Sequence, residues 1–336
     1  MIFKVIFMSK GIMLNKERNV ILTPFLISNA NKVTLLLLPG GSYSTCDISE
    51  VEPAAKLFNS KGYNCFALQY SVGKHYKWPY PLEDYETATQ YLYDHSGDYG
   101  ITPSLIVVIG FSAGGHLAAM AASDERYKPY AAAVLYGATN ASTIDYNAPG
   151  APDANDAVNE NTCPCFIASS RNDWIVPVSN TMNFMAALNK YDIDYEAHIY
   201  GYSMHGFNIG ADFGAKPPLF NTHCGNWVND FLAWLGELTS GQYVSIRERC
   251  EYNDAHSESL SSMNSNKVIF DSPEAASLIK KRFPIQYALY LATRKKVGSF
   301  TDGVSFKNVL QLLKTKEETI EKINKALSKI KNGAVK

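Results

Sequence analysis

The segment LIVVIGFSAGGHLAAMAA (residues 105–122) joins a strand-like run to a helix-like run through a very short turn. LIVVIG is apolar almost throughout, as in a parallel strand that is covered on both faces. AGGHLAAMAA is rich in small and helix-forming residues. Between them, GFSAG has the form G-x-S-x-G, in which glycines let strand and helix approach closely while the turn exposes the serine. The segment therefore predicts an α/β fold with Ser112 at one edge of the sheet.

Further strand-length apolar runs follow the same pattern from residue 33 onward. Predicted strands are VTLLLL (33–38), NCFALQY (64–70), LIVVIG (105–110), AAAVLYG (131–137), PCFIASS (164–170) and YEAHIY (195–200). Helix-length segments lie between most of them, and GNWVNDFLAWLGEL (225–238) would be the last helix, with Trp227, Phe231 and Trp234 on one face. Alternating strands and helices predict a mostly parallel sheet with helices on both faces.

The character of the sequence changes after residue 244. EYNDAHSESLSSMNSN (251–266) is polar and rich in Ser and Asn, which is typical of a linker. Charge changes too, because residues 1–244 carry 14 basic and 22 acidic side chains whereas the remaining residues carry 17 and 10. We therefore expect an α/β domain over residues 1–244, a polar linker over 245–266 and a small basic helical domain over 267–336.

Composition limits the function classes. Hydrophobic residues make up 46% and charged residues 19%, as in ordinary globular proteins, and no run approaches the roughly 20 apolar residues of a membrane span. The opening MIFKVIFMSKGIM lacks the parts of a good signal peptide. Six cysteines without the spacing of a disulfide framework or a metal site favour reduced thiols in a cytoplasmic protein. We expect no metal and no cofactor.

Ser112 needs a base, because a serine hydroxyl is too weakly acidic to attack an ester unaided. His205 is the favoured candidate, since it lies in the glycine-bracketed loop GYSMHGF directly after the strand YEAHIY. His198 lies within that strand and is expected to be packed. His116 follows Ser112 on the predicted helix and is expected to support it. A plain surface role remains the alternative for His205.

A carboxylate must then orient the histidine. Asp173 follows the strand PCFIASS in SSRNDWIVP, and the order Ser112, Asp173, His205 is the order of an α/β-hydrolase triad. Asp192 and Asp194 are weaker alternatives, and Asp173 serving only as a helix cap is another.

The loop in LLLLPGGSY (35–43) is the candidate oxyanion hole, the set of donors for negative charge on the reacting oxygen. Its glycines allow unusual backbone angles, so that the N–H groups of Gly41 and Ser42 can point to the same place as that of Ala113. A tight turn without function is the alternative.

Aromatic residues in loops above Ser112 predict a small aromatic-walled pocket. The predicted substrate contacts are Tyr43, Trp78 and Trp174, with Tyr76 and Tyr80 nearby. TNASTIDYNAPGAPDANDAVNE (139–160) is long enough for a modest flap over this pocket but too short for a large cap domain.

Taken in order, PGGSY, YPLEDYETATQYL, ITPSLIVVIGFSAGGHLAAM, the Asp173 segment and MHGF resemble the esterase and acetylesterase branch of the α/β-hydrolases. That branch includes bacterial enzymes similar to acetylxylan esterases and to relatives of hormone-sensitive lipase. The resemblance covers about residues 20–240. It implies an α/β-hydrolase fold, a triad of Ser112, Asp173 and His205, and an oxyanion hole of Gly41, Ser42 and Ala113.

The same resemblance implies hydrolysis of short, acetyl-type esters of small molecules, carbohydrates among them. Pro39 and Ser42 depart from the histidine and third glycine of many lipases, which leaves the donor set open. A peptidase of the prolyl-oligopeptidase type and a catalytically inactive binding protein are the alternatives. Residues 250–336 resemble no family. Their positive charge leaves an acidic partner open, whereas the lack of a recognised module argues against nucleic acid.

Overall fold

The computed structural model describes residues 5–6, 11–46, 48–210, 222–240, 253–297, 302 and 304–333. The chain divides into two compact units, Met1–Trp234 and Leu235–Lys336. Within the described residues of the first unit, nine strands form one sheet. They are β1 (Val5–Ile6), β2 (Ile12–Asn15), β3 (Val20–Ile27), β4 (Thr34–Leu38), β5 (Asn64–Gln69), β6 (Ile106–Phe111), β7 (Ala131–Leu135), β8 (Cys165–Ser170) and β9 (Tyr195–Tyr200).

The spatial order of the strands is β1-β3-β5-β4-β6-β7-β8-β9, and β2 also pairs with β3. Strands β4 to β9 run parallel to one another, whereas β3 runs antiparallel to β1, β2 and β5. Carboxyl ends of parallel strands share one edge, so the loops after β4, β6, β8 and β9 lie along the same side of the sheet.

All six predicted strands are confirmed to within two residues at either end. Strands β2 and β3 were not predicted, and Pro24 explains why β3 is hard to recognise, since proline inside a run argues against a strand. In the structure Pro24 lies between the residues that pair with β2 (20–22) and those that pair with β1 (26–27). Its missing N–H therefore falls where β3 has only β5 as a described neighbour.

Helices of the first unit connect these strands. They are α1 (Ile48–Ser60), α2 (Tyr80–Asp94), α3 (Ser96–Tyr99), α4 (Ala113–Ala121), α5 (Ala141–Ile144), α6 (Ala154–Ala157), α7 (Ser179–Lys190) and α8 (Trp227–Thr239), which crosses into the second unit. Short 3₁₀ turns span Gly73–His75, Pro103–Leu105 and Thr222–Asn226.

Helices cover both faces of the sheet, as predicted. On one face, α2, α4 and α7 bury Tyr85, Leu117 and Phe184 in a core that includes Leu36 of β4. On the other, α1 and α8 pack through aromatic edges, with the rings of Phe58 and Trp227 6.0 Å apart. The predicted apolar face of α8 is confirmed, because Trp227, Phe231 and Trp234 are all buried.

The second unit has a core of its own, formed by apolar side chains that include Leu260, Tyr290, Phe306 and Ile323. Its helices are α9 (Asn266–Asp271), α10 (Pro273–Arg282), α11 (Pro284–Val297), α12 (Phe306–Leu312) and α13 (Glu317–Leu327). The apolar side chains of α13 and of the residues just after it are buried in this core, namely Ile320, Ile323, Leu327 and Ile330. Helix α13 begins after Lys316, whose side chain makes no capping bond.

The expected linker differs from the structure. Residues 253–266 lie in the second unit, where Leu260 is buried and the Ser262 N–H donates to Asn324 Oδ1 at 2.7 Å. Polar side chains here satisfy buried backbone groups, so the composition resembles a linker although the segment is packed. The division between the units falls at Trp234, earlier than the predicted residue 244, and residues 245–252 lie outside the described residues.

Candidate active site

Ser112 occupies the turn between β6 and α4 with φ 55° and ψ −114°, which is strained for a residue other than glycine. Backbone hydrogen bonds hold this turn on both sides. The Ser112 N–H donates to the Leu135 carbonyl at 2.9 Å, and the Ser112 carbonyl accepts from the N–H of His116 at 3.1 Å. The strain is thus carried by the surrounding strand and helix, which present the hydroxyl at the sheet edge.

The two glycines of GFSAG are required by close backbone approach. A Cβ at Gly110 would lie 2.0 Å from the carbonyl oxygen of Gly114. One at Gly114 would lie 2.1 Å from the carbonyl oxygen of Leu38, the last residue of β4. No real Cβ tolerates such distances, so α4 can start over the end of the sheet only because both positions lack side chains.

His205 reaches Ser112 from the loop after β9. Its Nε2 lies 2.8 Å from Ser112 Oγ, and its ring packs edge-on against Tyr136, with centroids 5.1 Å apart. Asp173, in the loop after β8, places Oδ2 2.6 Å from His205 Nδ1. Because an ionised carboxylate can only accept, Nδ1 carries the proton and Nε2 is left to accept from the serine hydroxyl.

The second oxygen of Asp173 is also occupied. Oδ1 accepts from the N–H groups of Ile175 and Val176, each at 2.9 Å. Asp173 does not cap α7, which begins at Ser179 and has no side-chain cap bond. Its two oxygens instead serve His205 and the backbone of the loop after β8. The Asp173 side chain is 1% exposed, so these bonds are shielded from competing water. A carboxylate held in this way cannot rotate away from His205.

The other candidate residues lie elsewhere. His198 is within β9 and contacts Glu196 at 2.7 Å. His116 is fully buried on α4 and bonds to Tyr43 and Pro152. Asp192 and Asp194 precede β9, which places them at the opposite edge of the sheet from Ser112. The structure thus brings together Ser112, His205 and Asp173, the set that the sequence favours.

The predicted oxyanion loop follows β4 and has three consecutive residues with positive φ: Gly41 at 108°, Ser42 at 54° and Tyr43 at 56°. The Gly41 carbonyl accepts from the N–H groups of Ser44 and Thr45 at 2.9 and 3.0 Å, closing a tight turn. At the start of the loop, the Gly40 N–H donates to the Glu50 carboxylate at 2.7 Å. Ala113 is the first residue of α4, so its N–H has no partner within the helix.

A cavity of about 220 Å³ opens beside the Ser112 hydroxyl. Ser42 and Ala113 line it next to Ser112, whereas Gly41 is not among its lining residues. The other lining residues are four aliphatic ones, Ala138, Ile144, Ile175 and Val176, and two polar ones, Thr143 and Asn147. Three of these belong to the predicted flap. The sequence analysis did not predict the walls after Asp173, although the apolar pair Ile175 and Val176, two and three residues after the carboxylate, was an available signal.

The cavity does not have the aromatic walls that the sequence predicts. Tyr43 is fully buried and its hydroxyl contacts His116, and Trp78 packs on the ring of that histidine with centroids 5.7 Å apart. Trp174 is 73% exposed. The described residues that line the cavity include none of the three. The loop after β4 turns so that Ser42 faces the cavity while the next side chain enters the core, and aliphatic residues form the walls instead.

Within the described residues we find no cluster of His, Cys, Asp and Glu with the arrangement of a metal site, and no helix long and apolar enough to cross a membrane. No disulfide joins the five described cysteines, which are Cys46, Cys65, Cys163, Cys165 and Cys224. What the residues do offer is a serine, an oriented histidine and a buried carboxylate beside a small cavity, which together can perform acyl transfer.

The chain belongs to the α/β-hydrolase family. A solved structure of MGS-M1, an α/β-hydrolase enzyme from a Medee basin deep-sea metagenome library, is 30% identical, with a TM-score of 0.63 over 71% of this chain and 98% of the other. The family model BD-FAE matches residues 28–149. Several curated relatives are named as esterases, which agrees with the branch that the sequence resemblance implied.

Two of these relatives carry names that mention acetyl esters. The acetylxylan esterase of Xylanibacter ruminicola is 26% identical over 260 residues, which are 68% of this chain and 54% of that protein. The acetyl ester-xyloside bifunctional hydrolase from Caldicellulosiruptor lactoaceticus is 25% identical, with a TM-score of 0.60 over 68% of this chain and 96% of the other. The chain spans between a third and about half of the length of the first curated relatives that it matches.

Proposed function

We propose that the protein is a serine carboxylic ester hydrolase that acts on short-chain, acetyl-type esters, with esters of carbohydrates as the leading substrate class. One observation carries the proposal: a continuous hydrogen-bond chain runs from Ser112 Oγ through His205 to the buried Asp173. The names of the acetylxylan esterase and the acetyl ester-xyloside hydrolase support the substrate class.

In the proposed mechanism, Ser112 Oγ attacks the ester carbonyl carbon while His205 Nε2 takes the hydroxyl proton. The resulting imidazolium is stabilised by Asp173. When the tetrahedral intermediate collapses, the bond between the carbonyl carbon and the alcohol oxygen breaks, and His205 gives its proton to the departing alcohol. A water molecule, deprotonated by His205, then attacks the acyl-enzyme, and the carboxylic acid and free Ser112 are released.

The oxyanion of the intermediate needs donors that are already in place. We assign this role to the N–H groups of Ser42 and Ala113, with that of Gly41 as the third candidate. Ser42 and Ala113 line the cavity together with Ser112, whereas Gly41 does not, which supports the first two donors more strongly than the third. The strained angles of the loop fit this role, because such strain is concentrated where backbone groups must be aimed.

The size of the cavity supports a small acyl group. About 220 Å³ lies below the volume range of pockets for drug-sized ligands, roughly 300–1,000 Å³. Its aliphatic side chains, such as Ile144 and Val176, suit the methyl end of an acetyl or propionyl group, whereas Thr143 and Asn147 offer polar contacts to the ester. A polysaccharide alcohol would have to lie outside this cavity, towards solvent.

Labelling with a fluorophosphonate probe tests the enzyme assignment. We expect labelling of the wild type and none of Ser112→Ala. Ser60→Ala is the matched control, because Ser60 is exposed at the end of α1 and its hydroxyl bonds only to the Leu57 carbonyl. An unlabelled wild type, or labelling that persists in Ser112→Ala, contradicts the proposal and favours an inactive binding protein.

A series of p-nitrophenyl esters, followed by acetate release from acetylated sugars, tests the substrate class. Acetate and propionate esters should give the highest kcat/KM. A maximum beyond about eight acyl carbons would contradict a cavity of this size. The cytoplasmic location and an acidic partner for the basic second unit stay predictions.

A further inference from the structure

His116 makes two hydrogen bonds in the core beneath the candidate site. Its Nδ1 lies 2.8 Å from the hydroxyl of Tyr43, and its Nε2 lies 2.9 Å from the carbonyl oxygen of Pro152. Its ring also packs edge-on against Tyr43 and Trp78. One buried side chain on the nucleophile helix therefore contacts both the loop after β4 and the flap.

The two partners determine where the ring proton lies. A carbonyl oxygen can only accept, so Nε2 carries the hydrogen and donates to Pro152. Nδ1 is then the acceptor, and the Tyr43 hydroxyl donates to it. Complete burial lowers the pKa of His116 to about 4, which keeps the ring neutral in near-neutral solution. Tyr43 and Pro152 are thus held by a histidine with one defined tautomer.

The hydrogen bond between His116 and Tyr43 connects the histidine to the loop that carries the candidate oxyanion donors. Ser42 and Tyr43 both have positive φ without being glycine, and such backbone persists only where its surroundings hold it. The Tyr43 side chain supplies that hold, since its ring lies 5.8 Å from Tyr70 and 5.3 Å from Tyr76 and its hydroxyl bonds to His116. Ser42, directly before it, faces the cavity.

The hydrogen bond between His116 and the Pro152 carbonyl connects the histidine to the flap, which forms part of the cavity wall. Asp153, the next residue, accepts from the N–H of Ala141 at 3.2 Å and from that of Asn155 at 3.0 Å. These bonds join two parts of the flap next to Pro152. The hydrogen bond from His116 to the Pro152 carbonyl therefore also restrains the segment that places Ile144 and Asn147 in the cavity wall.

We propose that His116 is a positioning residue, which fixes the Ser42 N–H toward Ser112 through Tyr43 and fixes the flap wall of the cavity through Pro152. It touches no reacting atom. The proposal rests on the proposed function, because it concerns the donors and the cavity assigned there.

The test compares Tyr43→Phe with Tyr85→Phe. Both remove the hydroxyl of a fully buried tyrosine, and Tyr85, on α2, donates to the Tyr127 carbonyl at 2.7 Å away from the site. With p-nitrophenyl acetate, Tyr43→Phe should lower kcat by roughly 10- to 100-fold, less than complete loss of an oxyanion donor, with KM within about twofold of wild type. Tyr85→Phe should keep wild-type kcat at a similar or lower unfolding temperature.

His116→Gln is the second variant, because its amide can still donate toward Pro152 but lacks the ring acceptor for Tyr43. If the hydroxyl acts through His116, the double variant with Tyr43→Phe loses no more kcat than His116→Gln alone. A boronic acid that mimics the tetrahedral intermediate should bind more weakly in proportion to the loss of kcat/KM.

Two results overturn this inference: a Tyr43→Phe enzyme with kcat within twofold of wild type, or losses that multiply in the double variant. Both results can be observed only with a wild-type enzyme that is active and therefore reacts with the fluorophosphonate. An unreactive wild type instead removes the proposed function, so the two failures are distinguishable.

Discussion

Asp173 and His205 are joined by a hydrogen bond of 2.6 Å between Oδ2 and Nδ1, while the other oxygen of Asp173 accepts from two backbone N–H groups. The two backbone N–H groups fix the orientation of the carboxylate independently of its bond to the histidine. Orientation and charge can therefore be separated by substitution at this one position.

Asp173→Asn keeps the shape of the side chain but removes its charge and can offer an amide N–H toward His205. The histidine would then be driven to the tautomer with the proton on Nε2, which cannot accept from Ser112. We expect kcat on p-nitrophenyl acetate to fall by about 10⁴-fold with little change in KM. Steady-state kinetics and an unchanged circular dichroism spectrum are the measurements, and a loss below tenfold would show that Asp173 is not the orienting group.

His116 should make folding stability depend on pH. Its pKa is about 4 in the folded protein and 6.5 when unperturbed, so only the unfolded chain takes up a proton between these values. The stabilisation is complete above pH 6.5 and is lost as the pH falls through about 4. The change approaches about 3 kcal/mol, because each pKa unit corresponds to about 1.4 kcal/mol.

Urea unfolding of wild type and His116→Gln between pH 7 and pH 4 measures this effect. Carboxylates contribute equally to both proteins, so their difference isolates His116. We expect wild type to lose about 3 kcal/mol more than the variant over this range. If the free energies of unfolding of wild type and variant changed with pH in the same way, the pKa of His116 in the folded protein would be close to 6.5, which contradicts its burial.

Gly114→Ala should damage both the fold and the site. The added Cβ would lie 2.1 Å from the Leu38 carbonyl oxygen and 2.4 Å from that of Pro39, and neither backbone group can move without shifting the loop that carries Ser42. We expect a loss of about 3 kcal/mol in the free energy of unfolding. Gly97→Ala is the control, because nothing lies within 4 Å of a Cβ there. Equal unfolding temperatures for the two variants would contradict the close approach.

Ile144→Ala should enlarge the cavity and change acyl preference. Ile144 is a flap residue that lines the cavity beside Ser112, and removing three carbons makes room for a longer chain. The ratio of kcat/KM for butyrate to that for acetate should rise by about tenfold, the effect of one or two methylene groups in an apolar pocket. Ile101→Ala, a buried change before β6 and outside the cavity lining, should leave the ratio unaltered although it destabilises the fold. An unchanged ratio in Ile144→Ala would mean that the acyl group does not enter this cavity.

Local signals explain what could be predicted from sequence. Strands β4, β6 and β7 are almost continuously apolar, so a short window suffices to recognise them. Ser112, Asp173 and His205 each lie in the connection after a strand of the parallel sheet, and the carboxyl ends of parallel strands share one edge. Their meeting therefore follows from chain order and strand direction alone.

Long-range packing explains which features could not be predicted from the sequence. Tyr43 looked like a pocket residue because its loop lies at the site, yet whether a loop side chain faces a cavity or a core depends on backbone angles that composition does not reveal. Residues 253–266 looked like a linker because polar residues that serve buried backbone groups have the same composition as polar residues in solvent.

The amino-acid sequence by itself determined the strand, turn and helix around Ser112 and the order of the three polar side chains, since these depend on short-range propensity and on strand direction. Only the tertiary structure decided which donors and walls surround the serine. The bond from Tyr43 to His116 spans 73 positions of the chain and that from His116 to Pro152 spans 36. Such contacts exist only after the sheet has assembled, because no local pattern encodes the distance between segments so far apart.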